Sequence, residues 1–171
     1  MNLTRAGLVT AVVLVAVAAQ VAIFSLFSVN GVVPNLVLIV VVAAAVARGP
    51  QFGAVVGFVA GMLIDLAPPA DHVAGRWALA LVLVAVLAGR VRADARRSPL
   101  AGLATVAACS FVGTSVFALS GIVLGDHGLP PGQMIQVIAI GVLWDVVVAP
   151  LLLPGLLLLF ERTRRPAELA Y

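Results

Sequence analysis

Long apolar segments, interrupted by short breaks that hold almost all of the charge, are the feature that most limits how this chain can fold. Of its 171 residues, 63% are hydrophobic and only 10% are charged, whereas soluble domains average about 45–50% and 25%. A soluble domain of this size leaves much of its surface in water, so it has no room to hide so many apolar side chains. The sequence therefore predicts an integral membrane protein.

Six segments approach the length of about 20 apolar residues with which an α-helix crosses a bilayer. We expect one all-α domain with six transmembrane helices at about 6–28, 30–47, 52–67, 75–89, 100–124 and 133–160. The second and fourth segments are short. Either their ends extend, the second back to Asn30, or these two helices lie inside the bundle with shielded ends.

The distribution of arginine supports six spans. If the N-terminus is cytoplasmic and the spans alternate, cytoplasmic segments contain nine of the ten basic residues, all of which are arginines. Only Arg76 then lies on the outer side, where the loops carry acids and histidines. These are Asp71, His72, Asp126 and His127. This positive-inside asymmetry predicts that both termini are cytoplasmic.

Several classes of protein are excluded or disfavoured by the residues present. Cys109 is the single cysteine, so the chain is not a disulfide scaffold. The net charge of +3 comes from arginines scattered between apolar segments, which does not fit a nucleic-acid interface. No metal-ligand spacing or phosphate-binding loop occurs, so we expect no catalytic site, metal or cofactor. The first segment resembles a signal peptide, but its apolar stretch continues through Phe27, which favours an uncleaved span.

The third segment has the most informative pattern. Gly53, Gly57 and Gly61 recur every four residues, and Asp65 follows four residues later on the same helix face. Glycines at this spacing let another helix approach closely. One interpretation is tight packing within the bundle, and the other is a groove that receives a partner's helix. For Asp65, the alternatives are an ion or proton site, or a helix-end residue that pairs with Arg76 or caps the following turn.

Asp145 is the second buried candidate, since it lies deep in the sixth segment. A carboxylate at that depth in a membrane is a functional candidate by default. The structural alternative is a buried acid that is hydrogen-bonded to Ser110, Thr114 or Ser115 of the fifth segment. The sequence does not separate the two.

Several short motifs occur in a fixed order in the first half of the chain. Pro34-Asn35-Leu36 opens the second span, the third span contains Gly57-Phe58, Gly61 and Asp65-Leu66, and Gly75 precedes the fourth span. This order resembles the family of the rod shape-determining protein MreD, which has a Pro-Asp-Leu-like entry and a Gly-Phe-x-x-Gly-Leu-x-x-Asp-Leu-like core. The resemblance covers about residues 34–79, and Asn35 departs from it where an acid is expected.

The resemblance implies a non-enzymatic membrane scaffold of the bacterial cell-elongation machinery, in the cytoplasmic membrane. Its partner would be an MreC-like protein with one span, with indirect links to MreB filaments, a SEDS glycosyltransferase and a penicillin-binding transpeptidase. The fold would be similar to the six-helix substrate-binding subunits of energy-coupling-factor transporters. We expect the partner's span to dock on the Gly53/Gly57/Gly61 face with Asp65, or on exposed sides of the second and fourth helices.

Other classes stay open. A vitamin-type transporter subunit would need convergent polar groups, for which the outer half offers Asp65, His72, Arg76, Trp77, Asp126 and His127. A small intramembrane enzyme or transporter would use Asp145 as a proton site. The arginines over 90–97 either serve orientation alone or contact anionic lipid or a cytoplasmic protein.

Overall fold

The computed structural model describes residues 3–23, 26, 28–68, 73–125 and 130–163. Within these residues the backbone forms seven α-helices. They are α1 (Leu3–Ala22), α2 (Leu36–Arg48), α3 (Pro50–Leu66), α4 (Arg76–Arg90), α5 (Arg92–Ala95), α6 (Pro99–Val123) and α7 (Pro131–Arg162). The described residues contain no β-strand, only an isolated bridge between Val29 and Val32. The fold class is all-α, as predicted.

Three of the helices have the length and composition of membrane spans. The apolar stretches Thr4–Ala22, Pro99–Val123 and Gly132–Arg162 contain 19, 25 and 31 residues. Helices of this length reach about 28 Å or more, which suffices to cross the apolar core of a bilayer. This agrees with the prediction of a membrane protein.

The short helix α2 lies at the centre of the bundle. Every residue from Leu36 to Ala47 is buried, and α2 contacts α1, α3, α4, α6 and α7. Its 13 residues correspond to about 20 Å of helix, less than the thickness of the apolar core. Of the two alternatives predicted for the short segments, α2 therefore matches the second, an interior helix with shielded ends.

The expected extension of the second helix back to Asn30 is wrong. Asn30 and Gly31 have positive φ angles of 51° and 79°, and they reverse the chain between the bridged residues Val29 and Val32. Helical geometry is then disfavoured for the residue before Pro34. The helix begins only after Asn35, whose side chain accepts a hydrogen bond from the Leu38 N–H at 2.9 Å and caps it.

Apart from the end of the first helix, the remaining helices start and end close to the predicted breaks. The first helix ends at Ala22, short of the predicted position 28, and residues 24, 25 and 27 lie outside the described residues. The polar stretch over 90–99 contains α5, a one-turn helix that the apolar pattern does not indicate. Pro150 and Pro154 lie inside α7, which is continuous through both.

The ends of α2, α4 and α7 meet at one end of the bundle. Pro50 at the start of α3 contacts Gly89 near the end of α4, and Arg96 after α5 forms an ion pair with Glu161 near the end of α7. We call this the arginine end. It carries Arg48, Arg90, Arg92, Arg96, Arg97 and Arg162.

Candidate functional site: the buried carboxylates Asp65 and Asp145

The glycine face of α3 is packed against neighbouring helices of the same chain. A Cβ added to Gly57 would lie 2.7 Å from the Leu81 carbonyl oxygen, and one added to Gly61 would lie 2.4 Å from the Ala78 Cα, both on α4. A Cβ added to Gly53 would lie 2.5 Å from the Ala45 Cβ on α2. These distances are shorter than van der Waals contact, so only glycine lets the three backbones approach this closely.

This packing corrects the hypothesis that the glycine face receives a partner's helix. The face formed by Gly53, Gly57 and Gly61 is filled by α2 and α4, and all three glycines are buried. Another helix would have to displace one of them. The exposed side of the second helix, named as an alternative, is also absent because α2 is buried from Leu36 to Ala47.

Asp65 receives the first N–H groups of α4. Its carboxylate accepts hydrogen bonds from the backbone N–H of Gly75 at 2.8 Å, of Trp77 at 3.1 Å and of Ala78 at 3.2 Å. The residue is only 2% exposed. A carboxylate at a helix N-terminus satisfies donors that have no partner inside the helix and complements the helix dipole. Asp65 therefore joins the end of α3 to the start of α4, as a cap of that helix.

Arg76 continues this junction towards α6. Its guanidinium donates to the Phe117 carbonyl oxygen at 2.8 Å and to the Ser120 hydroxyl at 3.3 Å, and its Cζ lies 4.1 Å from the centre of the Phe117 ring. Trp77 stacks on the same ring, with centroids 4.5 Å apart. A Cβ added to Gly121 would overlap the Arg76 guanidinium, so the absence of a side chain at Gly121 makes room for it. The charge of Arg76 is thus held among α6 groups, in a buried position.

Asp145 joins three helices in the interior. One carboxylate oxygen accepts the backbone N–H of Asn35 at 2.6 Å, and the other accepts the Ser110 hydroxyl at 2.6 Å. Asp145 is 1% exposed and Ser110 is fully buried. Of the three residues that the sequence offered as partners, Ser110 is the one that bonds, which supports the interpretation of Asp145 as a buried structural acid.

The start of α2 is capped by side chains from two other helices. Besides the bond from Asn35 to Asp145, the Val37 N–H donates to the side-chain oxygen of Gln20 on α1 at 3.1 Å. Such donors have no water to bond inside a bilayer, so each must find an acceptor in the protein. The start of the central helix is therefore fixed by α1 and α7 together.

The Asp145 junction lies far from the ends of α6 and α7. Asp145 is 14 residues after Pro131, the first residue of α7, and Ser110 is 13 residues before Val123, the last residue of α6. Since Ser110 is 11 residues from Pro99, the nearer end of α6, the two residues lie about 20 Å and 16 Å from the nearest ends of their own helices at 1.5 Å per residue. Asp65, by contrast, is the penultimate residue of α3.

An apolar groove of about 510 Å³ lies on the surface between α6 and α7. It is lined only by apolar side chains. They are Phe111, Ile135, Ile138, Ala139, Val142, Leu143 and Val146. A site for a polar small molecule needs several convergent polar groups, and this lining supplies none.

No other chemical site emerges from the part of the chain that the structure describes. No group of three His, Cys, Asp or Glu side chains in it is arranged to hold a metal ion. Cys109 is buried, with its sulfur 3.9 Å from the Val84 carbonyl oxygen. His72, Asp126 and His127, which were candidates for an outer pocket, lie outside the described residues, as does the loop residue Asp71.

Two residues of these junctions were missed by the sequence reasoning. Asn35 was noted only as a departure from a family motif, although an Asn before an apolar run is a recognisable N-cap signal. Gln20 gave a weaker signal, as a lone amide near the end of an apolar helix. Its partner Val37 follows only from the way α1 and α2 pack.

Comparisons of this chain with models of protein families, with curated proteins and with solved structures find no match.

Proposed function

We propose that this chain is a non-enzymatic membrane scaffold of the bacterial cell-elongation complex, as its resemblance to the MreD family implies. One observation supports a structural role most directly. Asp65 and Asp145, the buried carboxylates best placed for chemistry, are both bonded to the first N–H groups of a short helix. Each thereby holds the bundle together, which is what a rigid platform for other proteins requires.

The proposal includes the membrane arrangement. Six helices, α1 to α4, α6 and α7, would cross the bacterial cytoplasmic membrane in alternate directions. The arginine end would face the cytoplasm, because loops rich in arginine are retained there. Both termini would then be cytoplasmic.

The partner would be an MreC-like protein with a single span, through which the chain is linked to MreB filaments, a SEDS glycosyltransferase and a penicillin-binding transpeptidase. Since the glycine face is filled, we place the partner's helix on the opposite side of α3. That side exposes a row of large apolar residues at helical spacing. They are Val55, Phe58, Val59 and Leu66. Phe58 also belongs to the motif on which the resemblance rests.

Co-purification from the native membrane tests the partner and the surface together. The double variant Val55→Ala/Phe58→Ala should recover several-fold less of the MreC-like partner, because packing of large side chains drives helix association in lipid. The matched control is Leu143→Ala/Leu151→Ala, which removes exposed apolar side chains from α7 instead. Equal recovery from both variants and the unaltered chain would contradict docking on α3.

A second test addresses the alternative on α4, whose exposed side carries Leu79 and Leu83. If Leu79→Ala/Leu83→Ala loses the partner and the α3 variant keeps it, the scaffold role stands and the docking helix is α4. A membrane pull-down that recovers no elongation protein at all would contradict the scaffold role itself.

The second candidate function is a substrate-binding subunit of a vitamin-type transporter. It is favoured by the cluster at the start of α4, where Arg76 and Trp77 lie against Phe117. A charged group beside stacked aromatic rings is typical of small-molecule sites. Mass spectrometry of the purified protein distinguishes the two proposals, since a transporter subunit should retain a stoichiometric small molecule that Trp77→Ala releases.

A further inference from the structure

The arginine end is strongly basic. In the described residues it carries six arginines and two acids, Asp94 and Glu161. The arginines differ in their contacts. This difference indicates a role beyond the orientation of the chain in the membrane.

Two arginines of this end are neutralised by acids of the same chain. Arg96 forms an ion pair with Glu161 on α7, and Arg97 pairs with Asp94 at 3.2 Å. A third, Arg48, places its guanidinium 3.7 Å from the centre of the Phe52 ring. These side chains have partners within the protein.

Arg90 and Arg92 differ from these. Arg90 is the last residue of α4 and Arg92 the first of α5, and both are exposed. Neither forms an ion pair with any residue that the structure describes. The Arg92 guanidinium lies over Gly49, the single residue between α2 and α3. A Cβ added to Gly49 would lie 3.1 Å from a guanidinium nitrogen of Arg92. The two residues thus lie close together in sequence, with the Arg92 guanidinium beside the end of the central helix, and the described acids of this end, Asp94 and Glu161, pair with other arginines.

An exposed apolar stripe on α4 leads to Arg90. Leu79, Leu83 and Arg90 are all exposed, and Val86 between them is half-buried. Their spacing of four, three and four residues places them on one side of the helix. From Leu79 to Arg90 the stripe is about 16 Å long, close to half the thickness of the apolar core of a bilayer.

We infer that Arg90 and Arg92 bind the phosphate of an anionic phospholipid headgroup, with an acyl chain of that lipid along Leu83 and Leu79. Guanidinium groups bind phosphate oxygens in pairs of hydrogen bonds, which favours a phosphate ligand over a simple counterion. The apolar stripe favours a lipid over free phosphate. This inference requires insertion in a membrane and an α4 stripe that no partner helix covers, but it does not otherwise depend on the scaffold role.

Native mass spectrometry of the full chain in detergent, titrated with dioleoyl phosphatidylglycerol or dioleoyl phosphatidylcholine, measures this binding. The unaltered protein should bind one phosphatidylglycerol more tightly than phosphatidylcholine. Since a basic residue near the surface contributes about fivefold in affinity, Arg90→Gln/Arg92→Gln should weaken phosphatidylglycerol binding roughly thirtyfold. The single variant Arg90→Gln should weaken it about fivefold, and it keeps the test valid if the double variant does not fold.

The matched control is Arg96→Gln/Arg97→Gln, which removes the same charge from the same segment but only from paired arginines. It should weaken phosphatidylglycerol binding by less than about fivefold. Equal losses in the two double variants would overturn the site in favour of a diffuse basic field. If neither double variant lost phosphatidylglycerol affinity, the site would also be overturned, and these arginines would serve only to orient the chain in the membrane. Displacement of the lipid by a large excess of inorganic phosphate would overturn the assignment to a lipid.

Discussion

Asp65 and Asp145 perform the same task in two different environments. Each is a carboxylate from one helix that receives backbone N–H groups at the start of another, Asp65 for α4 and Asp145 for α2. Within the described residues, Asp65 makes three such bonds next to a helix end. Asp145 makes one, plus one to the Ser110 hydroxyl, about 20 Å from the nearest end of α7. The more numerous bonds therefore lie next to the helix end.

The two residues differ both in the number of their hydrogen bonds and in the depth at which these bonds are made. Near a helix end, water replaces a lost acceptor, so the loss costs little more than a helix cap. In the apolar interior nothing replaces it, and an unsatisfied donor keeps its full cost of desolvation. If depth decides, Asp145 contributes more to stability than Asp65 in spite of its fewer bonds.

Replacement of Asp145 should have the largest effect. Asp145→Ala leaves the Asn35 N–H and the Ser110 hydroxyl without an acceptor, at about 1–3 kcal/mol each. We expect a loss of about 2–5 kcal/mol in the free energy of unfolding, measured by titration with SDS in mixed micelles. The control Asp145→Asn keeps an acceptor for the Asn35 N–H and should recover much of the loss. An Asn variant as unstable as the Ala variant would show that the negative charge, rather than the bonds, matters.

Gly61→Ala should rank second, because it acts on the Asp65 junction through the backbone. The added Cβ would lie 2.4 Å from the Ala78 Cα, so α4 must move away and weaken its bonds to Asp65. Overpacking of this kind costs about 1–3 kcal/mol. The matched control is Gly155→Ala on α7, where a Cβ meets no atom within 4 Å. Similar unfolding curves for the two variants would contradict the close approach of α3 and α4.

Asp65→Ala should cost less than either, about 1–2 kcal/mol, which is the value of a helix cap that water can replace. In the double variant Gly61→Ala/Asp65→Ala, the two losses should sum to more than the observed loss, because both act on the start of α4. A loss for Asp65→Ala larger than that for Asp145→Ala would reverse the comparison and make the number of bonds, not their depth, the deciding quantity.

The two junctions also differ in how far the sequence predicts them. Asp65 and its partners lie within 13 residues of one another, in a stretch where proline, glycine and arginine mark the helix ends, so capping near Asp65 was among the sequence's own alternatives. Asp145 and Asn35 are 110 residues apart. No local signal joins them. The second segment was extended back to Asn30 because this brings it close to the length of a membrane span, whereas the helix begins at Leu36.

The same reasoning explains the glycine face. The spacing of Gly53, Gly57 and Gly61 predicts close approach by some helix, but it carries no information on whether that helix belongs to the same chain. Only the three-dimensional packing assigns α2 and α4 to this face.

Ser110→Ala should have the smallest effect and completes the comparison within the Asp145 junction. The substitution removes one of the two bonds to Asp145 and leaves no donor unpaired, because the hydroxyl donor is removed with it. We expect a loss of about 1 kcal/mol, the net value of one hydrogen bond. Thr114→Ala is the matched control, since its hydroxyl bonds only to carbonyl oxygens of its own helix. If Ser110→Ala destabilised the protein as much as Asp145→Ala, the Ser110 bond would be the main function of that carboxylate, and the capping of α2 by Asp145 would be secondary.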